Sequence, residues 1–378
     1  MFGKGIPLFK LFGFEVRIDL SWLVLGLLIT WTLAKGVFPH YYENLPASTY
    51  WFMGVGGAVG LFVSIVFHEL WHSLVARKYG LQMKGITLFI FGGVAHMTEE
   101  PPSPRAEFAM AIAGPVSSVV LALILFVLVK AGEAGGMSTS VTGVAEYLMY
   151  LNLILAGFNM VPAFPLDGGR VLRSILWGWK KNIRWATAIA ARIGGVFGLF
   201  LIFMGIFVIF QGNLIGGLWW FLIGMFMRNA AQASYQQLLI RQTLEGEKVR
   251  RFMAADPVTV TPSTTVEELI EDYVYKHHYK MFPVVDNGNL VGCVTINQIK
   301  EIPKEARART TLREIVDGCS SENTISPDAD AVKALSLMNR SKNSRLLVRE
   351  GSKLVGVLSL KDMLDFLALK IDLEGENL

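Results

Sequence analysis

The residues with the clearest chemistry are Phe67-His68-Glu69-Leu70-Trp71-His72, two imidazoles four positions apart with a carboxylate beside the first. On a helix, positions i and i+4 project from one face, so His68 and His72 can reach a single metal ion. Glu69 is then placed to polarise a water at that ion. Catalytic zinc generally takes three protein ligands and keeps a fourth position for water. The strongest candidate for the third ligand is Asp167, in Asn159-Met-Val-Pro-Ala-Phe-Pro-Leu-Asp167-Gly-Gly-Arg170. Pro162 and Pro165 break a helix, and Gly168 and Gly169 permit tight turns, so Asp167 is expected on irregular backbone. Alone, His-Glu-x-x-His arises by chance and Asp-Gly-Gly is an ordinary turn; their surroundings decide.

Those surroundings are apolar. Of the 378 residues, 52 % are hydrophobic and only 17 % charged, against roughly 25 % charged in soluble domains. The apolar residues dominate up to about Arg228, after which the chain becomes mixed. A spanning helix needs about 20 mostly apolar residues. Six runs meet or approach this, near Leu20–Phe38, Trp51–Tyr79, Phe108–Lys130, Val141–Val161, Ala186–Gln211 and a shorter Leu214–Arg228. Two histidines and a glutamate inside the second run are costly in lipid without a partner or a function. From His68 to Arg77 is roughly 14 Å at ~1.5 Å per residue, which puts the metal inside the hydrocarbon, reached by water through a protein-lined channel.

Cations alternate between the connections. Lys4, Lys10 and Arg17 precede the first run, and Pro39–Tyr50 holds no Lys or Arg. Arg77, Lys78, Lys84 and Arg105 follow the second run, and Gly132–Ser140 holds none and carries Glu133. Arg170, Arg173, Lys180, Lys181 and Arg184 follow the fourth run, and Gly212–Leu214 has none. Arg228, Arg241, Lys248, Arg250 and Arg251 follow the sixth. The positive-inside bias puts both termini in the cytoplasm of a multi-pass cell-membrane protein. The stretch Gly85–Met97 is too short to span and rich in β-formers, and reads as a hairpin or re-entrant strand pair. No basic segment interleaved with aromatics is present, so no nucleic-acid partner is expected. Cys293 and Cys319 lack Cys-x-x-Cys spacing and fit a reducing compartment.

After about Glu245 a repeat appears. Val260-Thr-Pro-Ser-Thr-Thr-Val-Glu-Glu-Leu269 aligns with Ile325–Ala334, and Leu290-Val-Gly-Cys-Val-Thr295 with Leu354-Val-Gly-Val-Leu-Ser359, at an offset of about 64–65 residues. Two small α/β units of this kind share one interface, since neither buries its apolar face alone.

Together, HELWH and NMVPAFPLDGG resemble the site-2 protease family of intramembrane metalloproteases, with FGGVAHM and the Ala113–Pro115 AGP extending the likeness over the apolar half. The resemblance implies one catalytic Zn2+ on His68, His72 and Asp167, with Glu69 as general base. It implies that Asn159 hydrogen-bonds the substrate carbonyl or developing oxyanion. It also implies a transmembrane protein substrate in the bilayer, such as a membrane-tethered transcription factor, an anti-sigma factor or a signal-peptide remnant, partly unwound and cut near the cytoplasmic side. The repeats resemble CBS domains. The second keeps Gly356-Val-Leu-Ser359-Leu-Lys-Asp362, whose hydroxyl and carboxylate would meet phosphate and ribose of ATP or AMP. The first keeps Thr295 but has Gln298 in place of the Asp, so one nucleotide rather than two is expected. CBS pairs also serve as homodimerisation modules.

The expected architecture is a polytopic α-helical membrane protein of about six transmembrane helices with a small β hairpin, followed by a soluble α/β tandem CBS domain. The boundaries are 1–240 for the metalloprotease and 245–378 for the CBS pair, at about 250–305 and 310–370. A CBS-regulated channel or transporter predicts a polar pore and an internal repeat in the apolar half, which the sequence lacks. A metalloprotease with a downstream Glu ligand has no residue as well placed as Asp167. An inactive scaffold would not need the intact His, Glu and Asp set. Asn152 is expected to bridge helices, His96 to serve structure or a substrate loop, His40 to lie in a loop, and His277 and His278 to be solvated.

Overall fold

Apolar runs with sparse charge fold as long helices because in lipid every backbone polar group must be satisfied within its own segment. In the computed structural model, which describes residues 5–81, 83–89, 92–97 and 100–374, six helices are long and apolar enough to cross a membrane. The first, α1 (Leu20–Thr32), continues through a π-helical stretch into α2 (Phe38–Tyr41), so His40, expected in a loop, is helical. The others are α3 (Ala47–Lys78), α4 (Pro104–Ala134), α5 (Thr139–Asn159), α7 (Ile183–Phe210) and α8 (Leu214–Leu244). The sixth span is therefore longer than its apolar run, because the polar residues after Arg228 continue the same helix. Between α5 and α7 lies the shorter α6 (Asp167–Lys180), amphipathic and capped at Lys181 in a left-handed conformation.

The N-terminal residues, expected only to flank the first span, form two strands, β1 (Ile6–Leu11) and β2 (Phe14–Ile18). Alternation in Phe14-Glu-Val-Arg-Ile18 buries Phe14, Val16 and Ile18 on one face. The expected hairpin is present as β3 (Met83–Phe89) and β4 (Gly92–Met97), antiparallel with Thr87 opposite Val94. It is part of a larger sheet of order β1-β2-β3-β4, in which β2 and β3 run parallel. Phe14, Val16, Ile18, Ile86 and Leu88 pack on Ile65, Val66 and Leu70 of α3, so the sheet lies against the histidine-bearing helix.

Contacts divide the chain into Met1–Gln236 and Gln237–Leu378. The second unit has two three-stranded sheets among the described residues. The first has β5 (Met281–Asp286), β6 (Asn289–Thr295) and β7 (Asp317–Gly318). The second has β8 (Thr324–Ile325), β9 (Arg345–Glu350) and β10 (Lys353–Ser359), and the central strands are β6 and β9. Asn287-Gly288, both at positive φ, closes the β5–β6 hairpin as that dipeptide favours. The helices are α9 (Val266–Glu268), α10 (Tyr275–His277), α11 (Ile296–Glu301), α12 (Leu312–Ile315), α13 (Ala331–Ser341) and α14 (Leu360–Glu374). Each repeat has its own core, around Phe282, Val284 and Leu269 in the first and around Leu346, Val348 and Leu358 in the second.

Candidate active site

His68 and His72 lie one turn apart on α3, and both are buried. Their Nε2 atoms are 3.2 Å apart, and each is 3.1 Å from Asp167 Oδ2. One ligand atom from each of the three falls within 4.8 Å of the others. The far ring nitrogens are tied to α4. His72 Nδ1 lies 2.6 Å from the Met110 carbonyl. A carbonyl only accepts, so this nitrogen carries the proton and the Nε2 lone pair points inward. His68 Nδ1 lies 2.9 Å from Ser118 Oγ, a partner that orients the ring in the same sense. The His72 Nε2 lone pair, the His68 Nε2 and a carboxylate oxygen thus converge at separations that one cation can bridge. The donor set, two imidazoles and a carboxylate with oriented outer partners, fits zinc.

Asp167 reaches this point differently from expectation. It is the first residue of α6, not part of irregular backbone, and Leu166 precedes it in extended conformation. Gly168 and Gly169 are helical as well. Their role is close approach: a Cβ on Gly168 would stand 2.3 Å from the Met160 carbonyl oxygen, and one on Gly169 2.5 Å from the Ala163 carbonyl carbon. The prolines act as expected, with α5 ending at Asn159. Arg173, counted among cations flanking a span, is 7 % exposed, and its Nε donates to Glu107 Oε1 of α4 at 2.5 Å. It is therefore an internal partner and not a boundary charge. Glu107 itself is a site-adjacent residue that composition did not reveal. Its spacing from Met110, Gly114 and Ser118 along one helical stripe was the available signal.

Glu69 and Asn159 line the same cavity as His68, His72 and Asp167, about 320 Å³ in volume, together with Phe89, Gly93, Pro165 and Arg170. A Cβ on Gly93 of β4 would stand 2.5 Å from Glu69 Cγ, so glycine there makes room for the carboxylate. The Asn159 amide donates to the Leu155 carbonyl at 3.0 Å, which occupies one of its two N–H bonds. Asn152 donates to Ser64 Oγ of α3 at 2.9 Å and so bridges α5 to the histidine helix. His96 falls on β4, and its side chain is outside the described residues.

Thr295, Ser359 and Asp362 belong to the second unit. Ser359 Oγ donates to Asp362 Oδ2 at 2.6 Å, and Asp362 N donates back to Ser359 Oγ at 3.2 Å. Thr295 pairs likewise with Gln298, whose amide donates to the Ile315 carbonyl. Both pairs cap the helices that follow them. A cleft of about 620 Å³ in this unit is lined by none of these residues but by Lys333, Arg340 and Arg349 among serines and Thr324.

Residues 56–133 and 129–203 match the family described as Peptidase family M50, and residues 249–305 and 312–369 each match the CBS domain. Rip3 of Mycobacterium tuberculosis, named as a zinc metalloprotease, is 35 % identical over 95 % of this chain and 92 % of its own length. The chain belongs to peptidase family M50, the site-2 proteases. Zinc metalloprotease MJ0392 of Methanocaldococcus jannaschii is 35 % identical over 80 % of this chain and 82 % of its own. Among solved structures, the site-2 protease from the same organism is similar, with 31 % identity, a TM-score of 0.43, and coverage of 61 % of this chain and 94 % of that one. The protein is thus a multi-pass membrane zinc metalloprotease of the site-2 type with a C-terminal CBS pair.

Proposed function

We propose that this site-2 protease cuts the transmembrane segment of a membrane-anchored protein, with His68, His72 and Asp167 holding one zinc ion and Glu69 and Asn159 acting on the substrate. The observation that carries this is the convergence of the three ligand atoms in one cavity with the Glu69 carboxylate. Zinc, when bound, supplies the Lewis acid that activates water and polarises the scissile carbonyl. Glu69 takes the proton from the attacking water and passes it to the leaving amine nitrogen. The second N–H of the Asn159 amide meets the carbonyl oxygen as it gains charge. Leu155, Phe158, Phe89 and Phe226 form apolar wall around the cavity, which suits an apolar peptide segment.

The catalytic unit is assigned to 1–240 and the CBS pair to 245–378, with both termini cytoplasmic on the alternation of Lys and Arg. The substrate class is a membrane-tethered regulator, such as a transcription factor or anti-sigma factor, released by regulated intramembrane proteolysis. The CBS pair is assigned a regulatory role, binding an adenine nucleotide at Ser359 and Asp362 with Thr295 as the weaker counterpart, and joining two copies of the chain. The sequence pattern Gly-x-x-Ser-x-x-Asp supports the nucleotide assignment.

The deciding experiment measures zinc content and cleavage of a model transmembrane substrate by purified full-length protein. Wild type should hold near-stoichiometric zinc, His68→Ala and Asp167→Ala should lose both zinc and cleavage, and Glu69→Gln should keep zinc while losing cleavage by about 10²–10⁴-fold. Unimpaired cleavage by Glu69→Gln would overturn the assignment of the base.

A further inference from the structure

One stripe of α4 organises the candidate metal centre. Met110 and Ser118 orient the two imidazoles, and Gly114 between them leaves the space that the imidazoles occupy. One turn before Met110 stands Glu107, fully buried. Arg173 Nε donates to its Oε1 at 2.5 Å, and Arg173 Nη2 contacts the same oxygen, while Oε2 has no hydrogen-bond partner among the described residues. Arg170 Nε lies 4.0 Å from Oε1, and Glu100 reaches Arg173 Nη2 at 3.5 Å.

Arg173 also lies over the Phe164 ring, at 5.3 Å from its centroid. Phe164 belongs to the turn that delivers Asp167. The guanidinium therefore touches α4 on one side and the approach to the third ligand on the other. Helices in lipid lack a hydrophobic force to fix their mutual rotation. A buried ion pair contributes little net stability and is best understood through the register it specifies. Here the register is that of α6, whose first residue is Asp167.

We infer that Glu107 and Arg173 form a positioning pair, which rests on the reading of Asp167 as a zinc ligand. The pair sets α6 against α4 so that Asp167 meets histidines oriented by the same α4 stripe. Neither residue touches the substrate or the metal. Their effect is on the affinity and geometry of the site, the effect expected of partners beyond the ligands themselves.

The test uses full-length protein in detergent carrying Glu107→Gln or Arg173→Lys, with thermal melting to establish the folded fraction. Zinc affinity is read by competition with a chromophoric chelator, and site geometry by the visible spectrum of the cobalt(II)-loaded protein. The expected result is a fall in zinc affinity of about 10–100-fold, a changed cobalt spectrum, and a lower kcat at unchanged KM. Folded variants with wild-type affinity and spectrum overturn the inference. Where a single variant does not fold, the neutral double variant Glu107→Gln/Arg173→Gln carries the same readouts. Weakened affinity there supports the pair, and wild-type affinity overturns it. Asp167→Ala separates the two levels. If it keeps full zinc, the ligand assignment itself fails. If it loses zinc while the Glu107 variants keep theirs, only the positioning role fails.

Discussion

Gly114→Ala is the smallest change that should abolish the metal centre. A Cβ built on Gly114 would stand 2.1 Å from His72 Nε2 and 2.5 Å from His68 Nε2. Ordinary contact begins at 3.4 Å, so the first separation must grow by 1.3 Å, from 2.1 to 3.4 Å. Metal–ligand distances tolerate about ±0.2 Å, and misplacement by about 1 Å costs catalysis on the order of 10²-fold. The histidines cannot simply step aside. Their outer nitrogens are held by the Met110 carbonyl and Ser118 Oγ on the same helix as Gly114, so moving α4 carries those anchors with it. Alanine also favours helix over glycine by about 1 kcal/mol, which opposes loss of the fold as the explanation. Gly114→Ala should therefore retain its melting transition, bind zinc well below stoichiometry by elemental analysis, and cleave a transmembrane substrate at least about 100-fold more slowly. Gly26→Ala, where a Cβ meets open space, should behave as wild type. A folded Gly114→Ala protein with full zinc and normal cleavage would refute the close-approach reasoning.

Three further outcomes concern the C-terminal unit. Calorimetry of the full chain with ATP and AMP should detect binding that weakens at least about 10-fold in Asp362→Asn; no heat with wild type would end the nucleotide assignment. Ser359→Ala should also remove a cap, at a cost of about 1 kcal/mol. The Arg251 hydrogen bond, aided by Lys370, holds the Glu247 carboxyl below its ordinary value near 4.5. The stabilisation is therefore present above about pH 4.5 and is lost as pH falls through the lower folded value. At neutral pH Glu247→Gln should destabilise the unit by on the order of 1 kcal/mol. Hydrogen exchange of peptides from 245–370, corrected for intrinsic rate, should show that difference vanish on acidification; a difference that persists in acid would exclude this origin.

Much of this was legible in the residues because lipid narrows the choices. Apolar runs could only be helices, and two histidines with a glutamate in such a run needed a purpose. Asp167 was legible as a candidate because a proline-broken, glycine-bearing segment ended in a carboxylate. Its backbone state was not, because Gly168 and Gly169 are as compatible with a tightly packed helix start as with a turn. Only the nearness of the Met160 and Ala163 backbone separates the two. The strands β1 and β2 were hidden for a related reason. Ile6-Pro-Leu-Phe-Lys-Leu11 alternates poorly and is mostly exposed, and β2, besides its antiparallel pairing with β1, pairs with β3 about seventy residues along the chain. Local pattern cannot anticipate a parallel partner at that distance.

The least legible element was α4, which contributes no ligand and carries no recognised chemical motif beyond Ala-Gly-Pro. Its Glu107, Met110, Gly114 and Ser118 look, one at a time, like a charge near a helix start and three residues of an apolar span. Their meaning lies in what each faces: an arginine from α6, an imidazole proton, the space of two rings, and a second imidazole. Helices α3 and α6, which carry the proposed ligands, are thus each referenced to a third helix, at positions three to eleven residues apart on one stripe. A site built this way holds its donors in place before any ion arrives, at the cost of desolvating Glu107 and Arg173. That cost is intelligible if what is conferred is the placement of Asp167, and it predicts that the centre will fail by misalignment of α6 before the bundle itself unfolds.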